Sequence, residues 1–260
     1  MPRDRANAGD PARTLELLWR TPGPGPRRGP KQGLELDRVV AAAIAVADAE
    51  GLGAVTMRRV ATELGVAPMT LYTYVPGKSE LLDLMLDDAY RRMPRPDTAR
   101  RGWRERLAAV ADANRALFTA HPWAVGVSTV RPPLGPGAMA KYEYELSALD
   151  GLGLDDVTMD DALAYLLTFV QASARTAADV RAARQDSAMT DEQWWAANAP
   201  LLERVFDPDA YPLAARVGAA AGAAHGTAYD PEHAYQFGLC RVLDGLDGLI
   251  EGNRAGTRAR

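Results

Sequence analysis

Residues 56–78 carry the side chains best suited to gripping a polyanion. Thr56 precedes a short helical pattern in which Val60, Ala61 and Leu64 share one face, and Gly65 supplies a stop. Pro68 then opens a second short helix, where its missing N–H costs little, and that helix runs through Thr70, Leu71 and Tyr72. A helix, a glycine turn and a second short helix can set a recognition helix in the major groove while the first helix crosses the backbone. The Thr56 hydroxyl stands at a helix start whose unpaired N–H groups suit a phosphate. Met69, Thr70, Tyr72, Thr73 and Tyr74 offer short polar, aromatic and apolar groups to base edges and phosphates. Lys78 opens the next helix and can neutralise a phosphate. Tyr74 has two readings, DNA contact or packing against the first helix, and Arg59 reads as a solvated charge.

The order of these residues carries more than their spacing. Thr56-Met57-Arg58-Arg59-Val60-Ala61-Thr62-Glu63-Leu64-Gly65, with the later run Leu71-Tyr72-Thr73-Tyr74-Val75-Pro76-Gly77-Lys78-Ser79-Glu80-Leu81-Leu82, closely resembles the DNA-binding domain of the tetracycline-repressor (TetR) family. The resemblance covers about residues 36–90. It implies that Thr56 caps its helix and meets a phosphate, and that Arg58 donates to a base edge, most naturally a guanine. It implies that Met69 and Thr70 face base edges, while Tyr72 and Lys78 hold phosphates and set register. Pro68 departs from relatives that place a hydrogen-bonding base reader there, so the operator should differ at that position. Farther along, the chain is similar to the ligand domain of the same family through its helix lengths and its His121-Pro122-Trp123 and Gly135-Pro136-Gly137 segments.

These residues need a frame, and the sequence reads as helical throughout. Residues 1–34, rich in Pro, Gly and Arg, read as an extended basic arm with a short apolar anchor at Leu15-Glu16-Leu17-Leu18-Trp19. Arg28 and Lys31 of this arm either lie in the minor groove beside the recognition helix or belong to a solvated tail. Asp37 reads as the N-cap of a first helix that ends at Gly51, and a further helix starts near Lys78 or Ser79. Residues 35–92 are therefore expected to form a DNA-binding head of three helices with a helix-turn-helix. Pro94 and Pro96 mark its boundary, followed by a basic connector of seven arginines over residues 91–106.

Residues 98–252 read as a helical domain for ligand binding and dimerisation, and 253–260 as a tail. Helices are expected over Trp103 to Ala120, around Tyr142, Leu146 and Leu149, from Asp160 onward, and from Pro231 onward. Residues 202–230 are Ala/Gly-rich with weak periodicity and read as partly mobile. Leu163, Leu167 and Val170 lie on one apolar stripe, and Leu239, Val242, Leu246 and Leu249 on another. The family resemblance implies that these pair with a second copy in a four-helix bundle; the alternative is that they fill a monomer core. A twofold dimer would place two recognition helices about one DNA turn apart, roughly 34–36 Å, on a palindromic operator. A ligand pocket is expected between the remaining helices, with Trp123, Tyr142, Phe169, Gln171, Arg175 and Trp194 as candidate lining.

Composition narrows the function classes. The chain has 260 residues, 47% hydrophobic and 25% charged, which supplies a sizeable core. Its net charge of −4 places any phosphate binding on local clusters rather than bulk charge. A single cysteine, Cys240, on an apolar helix face and inert, excludes an internal disulfide, and no stretch reads as a membrane span or signal peptide, so the expected setting is the cytoplasm. His121, His225 and His233 make no metal-ligand pattern, and neither a P-loop nor a nucleophile elbow is present. No enzyme activity, metal or cofactor is expected. The expectation is an all-α, homodimeric repressor that a small molecule releases from double-stranded DNA. An activator of the same fold and a non-specific architectural DNA binder are the alternatives.

Overall fold

The computed structural model describes residues 10–20, 35–227 and 229–258. It contains α1 (Pro11–Leu18), α2 (Leu36–Glu50), a 3-10 turn (Leu52–Ala54), α3 (Met57–Leu64), α4 (Pro68–Tyr72), α5 (Lys78–Arg92) and α6 (Trp103–Ala120). There follow α7 (Pro122–Gly126), α8 (Pro136–Ser147), α9 (Asp156–Ser187), α10 (Asp191–Leu202), α11 (Pro212–His225) and α12 (Pro231–Arg258). The described residues form no strand, so the fold is all-α. None of these helices is long and apolar enough to cross a membrane.

Two compact units form, Met1–Gln171 with Leu246–Arg260, and Ala172–Gly245. The expected boundary at Pro94 and Pro96 lies inside the first unit. The physical reason is a shared core. Val39, Val40, Ala43 and Val46 of α2, Val60 and Ala61 of α3, Leu71 of α4 and Leu81, Leu82, Met85 and Leu86 of α5 pack into one cluster, which Trp123, Ala124 and Val127 join. The head therefore shares buried apolar surface with the α7 region.

The ends of the head helices follow local chemistry. Thr56 Oγ1 accepts from the Arg59 N–H at 3.1 Å, and Gly65 ends α3 in the left-handed region at φ 68°. That conformation costs any residue with a Cβ and costs glycine little. Pro68 sits in the first turn of α4. The Asp37 cap is corrected: Glu35 holds the cap position without a side-chain hydrogen bond, and Asp37 lies in the first turn of α2, where a carboxylate favours the helix dipole.

Other expectations are corrected as well. The N-terminal arm is not extended throughout, because residues 11–18 form α1, with Thr14, Leu17 and Leu18 buried. Arg28 and Lys31 lie outside the described residues. The long helix begins at Asp156 rather than Asp160, residues 212–225 are helical, and the expected tail belongs to a helix that continues to Arg258. Cys240 is exposed. The two expected dimer stripes are largely used within one protomer: Leu163, Val170, Leu239, Val242 and Leu246 are buried in the single chain, while Leu167 is half-buried and Leu249 is exposed.

α5 and α8 pack closely against each other. Asp87 on α5 accepts from the Ala138 N–H at 2.8 Å, which satisfies one orphan donor of the α8 first turn. Burial raises the Asp87 carboxyl above its ordinary range, and the Ala138 and Gly137 amides pull it back down. A Cβ on Gly137 would stand 2.0 Å from the Asp87 carbonyl oxygen, so only glycine allows the approach. A buried polar bond adds a second tie: Asn114 Nδ2 of α6 donates to Glu145 of α8 at 2.6 Å, and Lys141 Nζ lies 2.7 Å from the same carboxylate.

Gly137→Ala is expected to destabilise the chain by at least about 1–3 kcal/mol, the range for overpacking, with a lower thermal midpoint. Gly218→Ala on α11, where a Cβ would meet open space, should instead raise stability by roughly 0.5–1 kcal/mol. Thermal unfolding of the two variants side by side checks both signs.

Candidate nucleic-acid interface

The surface formed by α3 and α4 is built on two buried anchors. Leu71 and Val75 are fully buried and hold the recognition helix on the head core. The residues between and beside them then face outward: Met69 is 73% exposed and Tyr72 is 46% exposed. Thr70 and Thr73 are also exposed, and Thr73 Oγ1 donates to the Thr70 carbonyl at 2.6 Å, which tightens the end of α4. The outward face thus offers a thioether, two hydroxyls and a phenol over a short span. Tyr74 differs: it is half-buried and packs against the head core, which is the packing alternative.

The two arginines of α3 are differentiated. Arg59 donates through Nε and Nη2 to Glu50 at 3.1 and 2.6 Å and through Nη1 to Glu63 at 2.8 Å. Hydrogen bonding by Glu50, then by Glu63, raises its guanidinium above the ordinary arginine range. All three of its guanidinium nitrogens donate within the protein, so it is a poor base reader. Arg58 is exposed one residue earlier, on the solvent side of α3. Lys78 is half-buried and its Nζ donates to the Leu52 carbonyl at 3.4 Å, which holds the start of α5 near the 3-10 turn.

The expected ligand residues are not brought together. Trp123 is buried in the head core and its Nε1 donates to Asp48 of α2 at 2.8 Å, so it fastens the head rather than lining a pocket. His121 Nδ1 pairs with the same carboxylate at 2.9 Å. Tyr142 donates to Asp160 at 2.8 Å and ties α8 to α9. Gln171 Nε2 donates to the Val125 carbonyl at 3.3 Å, tying α9 to the end of α7. Phe169 and Arg175 are half-buried, and they fall in different compact units.

Trp194 lines a cavity. Within the unit Ala172–Gly245, a cavity of about 370 Å³ is bounded by Val180, Met189, Trp194, Trp195 and Tyr229, with Arg184, Asp191 and Thr227 as its polar groups. The two indoles meet edge-on at 5.2 Å. Arg184 donates to Asp191 at 3.1 and 2.5 Å, and Thr227 Oγ1 donates to the same carboxylate at 2.7 Å. The bonds from Arg184, then Thr227, hold Asp191 below its ordinary range. The wall is thus aromatic, with one fixed ion pair at its edge.

Asp48, Asp87, Trp195 and Tyr229 were not singled out in the sequence. The two aspartates act across long stretches of chain, and no local spacing marks them. The run Trp194-Trp195 was the available signal for the cavity.

Known proteins share this arrangement. Residues 39–85 match the family model described as bacterial regulatory proteins of the tetR family, and residues 95–250 match the tetracyclin repressor-like C-terminal domain. The HTH-type transcriptional repressor DrrR1 of Streptomyces coeruleorubidus is 44% identical over 252 residues, covering 96% of this chain and 91% of the relative. The crystal structure of ActR from Streptomyces coelicolor in complex with actinorhodin matches with a TM-score of 0.66 at 28% identity, covering 84% of this chain and 99% of that one. Apo ActR matches at 0.62 and 28% identity, covering 86% and 98% of the two chains. The chain belongs to the TetR family of helix-turn-helix transcriptional regulators.

Arg58→Ala should cost roughly 1–3 kcal/mol of specific binding and relax preference at one base pair. Arg59→Ala should leave the preferred sequence unchanged, because its donors already face Glu50 and Glu63. Lys78→Ala should weaken all sequences alike and lower the salt slope by about one unit. Binding titrations on matched and mismatched duplexes at several salt concentrations separate the three. An unchanged base preference in Arg58→Ala would remove it as a base reader.

Proposed function

We propose that this chain is a homodimeric repressor that binds a palindromic operator through α3 and α4 and leaves it when a small aromatic molecule occupies the C-terminal unit. The observation that carries the DNA part is the face of α4, where buried Leu71 and Val75 turn Met69, Thr70 and Tyr72 outward. Thr56, Arg58, Tyr72 and Lys78 take the phosphate and base roles implied by the family sequence pattern. The dimer face uses what the long helices leave exposed, including Leu249 on α12 and Tyr165 on α9.

The ligand part rests on the tryptophan-lined cavity and on ActR, whose structure holds actinorhodin. A flat ring system stacks on indole faces, and the Arg184–Asp191 pair offers both a donor and an acceptor at the rim. Binding acts as a population shift: the ligand favours a head separation that does not fit both half-sites. Such a regulator needs no catalytic group, and it works in the cytoplasm beside its DNA.

Selection of bound duplexes from a random pool, at a stated salt concentration, tests the reading. The expected product is a palindrome with two half-sites; uniform recovery would favour an architectural DNA binder. Actinorhodin then serves as a probe. It should quench tryptophan emission and release the selected duplex, and Trp194→Ala should weaken its binding by roughly 2–10-fold.

A further inference from the structure

We propose that α1 is a strut that fixes the pose of the DNA-binding head, and with it the half-site separation that the dimer accepts. The proposal rests on the DNA-binding dimer reading above. α1 has eight residues, too few to persist as an isolated helix, so its contacts hold it in place. At its start the Asp10 carboxylate accepts from the Ala12 and Arg13 N–H groups at 3.0 and 3.3 Å, while the Asp10 N–H donates to Glu80 of α5 at 3.3 Å. Leu17 and Leu18 are buried in the head core. Arg20 then ends this described segment. Its φ of 54° lies in the left-handed region, which a side chain disfavours, and its guanidinium donates to the Leu17 carbonyl at 2.6 Å and to Asp37 of α2 at 2.5 Å.

Trp19 reaches elsewhere. Its indole Nε1 donates to the Leu134 carbonyl at 2.8 Å, two residues before α8 begins. The ring is 49% exposed, so the bond, rather than burial, is its main contribution. A helix that only completed the head core would need Leu17 and Leu18 and no such bond. The same short segment, residues 134–138, is held by Asp87 through the Ala138 N–H and closed onto α5 by Gly137. α1 is rooted in α2 and α5 of the head, and through Leu134 it adds a further point of attachment to those made by Asp87, Gly137 and Trp123. A small rotation of the head becomes a displacement of several ångströms at α4, and two recognition helices must meet successive turns of one groove.

The test uses the full-length dimer, with Trp19→Phe to remove the donor while keeping an aromatic ring, and Trp19→Ala to remove both. Dissociation constants are measured on three duplexes: the selected palindrome, the same palindrome with one base pair inserted at its centre, and a single half-site. Thermal unfolding of each variant accompanies them. Trp19→Phe should weaken the palindrome by roughly 2–10-fold, the worth of one hydrogen bond. It should also narrow the gap between the palindrome and the misspaced duplex, and leave the half-site unchanged. Trp19→Ala should act in the same direction and further. Equal losses on half-site and palindrome, or no change on any duplex, would overturn the proposal, because α1 would then be only ballast in the head core or irrelevant. A wild-type protein that prefers the palindrome no more than a half-site would overturn the dimer reading itself, and the strut with it.

Discussion

A five-residue helix cannot keep its own shape, and the DNA-facing surface depends on one. α4 exists because Leu71, and Val75 just beyond its end, are fully buried among α2, α3 and α5. Burying two such side chains is worth about 1.5–3 kcal/mol each, which favours the ordered turn. The fixed ends matter as much. Thr56 and Gly65 set where α3 starts and stops, and Pro68 sets where α4 begins, so the outward residues fall at one register rather than several. Recognition chemistry here is the exposed remainder of a packing solution.

The same packing removes the independence of the head. Trp123 and Val127 enter the head core, and Asp48 accepts from Trp123 while pairing with His121. On the far side of the core, Asp87 caps α8. A carboxylate pushed upward by burial is costly unless donors meet it, and the amides at the α8 start are such donors. Breaking either tie leaves a polar group without its partner. The head is therefore packed with α7 and α8 in one compact unit, and its recognition helix is held by the same core that holds them.

Much of this was legible in the sequence, and the failures have a common cause. Thr56, Gly65 and Pro68 act within a few residues, so their roles in capping and breaking helices are written locally. The helices from Trp103 and Pro231 were legible for the same reason. Asp48, Asp87 and Gly137 act across tens of residues, and a single sequence does not show which distant backbone they meet. The stripes through Leu163 and Leu239 were visible, but not which surface covers them: period shows a buried face and is silent on whether the protomer or a partner buries it. The pocket was least legible, because indoles, phenols and amides serve equally as ties, as Trp123, Tyr142 and Gln171 do. α1 was masked by the Pro/Gly-rich composition around it, although its apolar residues stood out.

An acidic chain that binds a polyanion has to arrange its charges rather than accumulate them. The net charge is −4, yet several carboxylates near the head are engaged internally: Glu50 and Glu63 by Arg59, Asp88 by Arg91 and Arg92, and Asp87 by backbone amides. Each engaged carboxylate is screened from an approaching phosphate, but each also consumes cationic or donor capacity. What remains on the α3–α4 face is Arg58 with uncharged donors such as Thr70 and Tyr72. A face with few cations releases few counterions, so base edges carry a larger share of its affinity. A basic surface would bind every duplex and search slowly among them. A sparse one gives up that bulk attraction, and a face of this kind depends on matched base contacts for useful affinity.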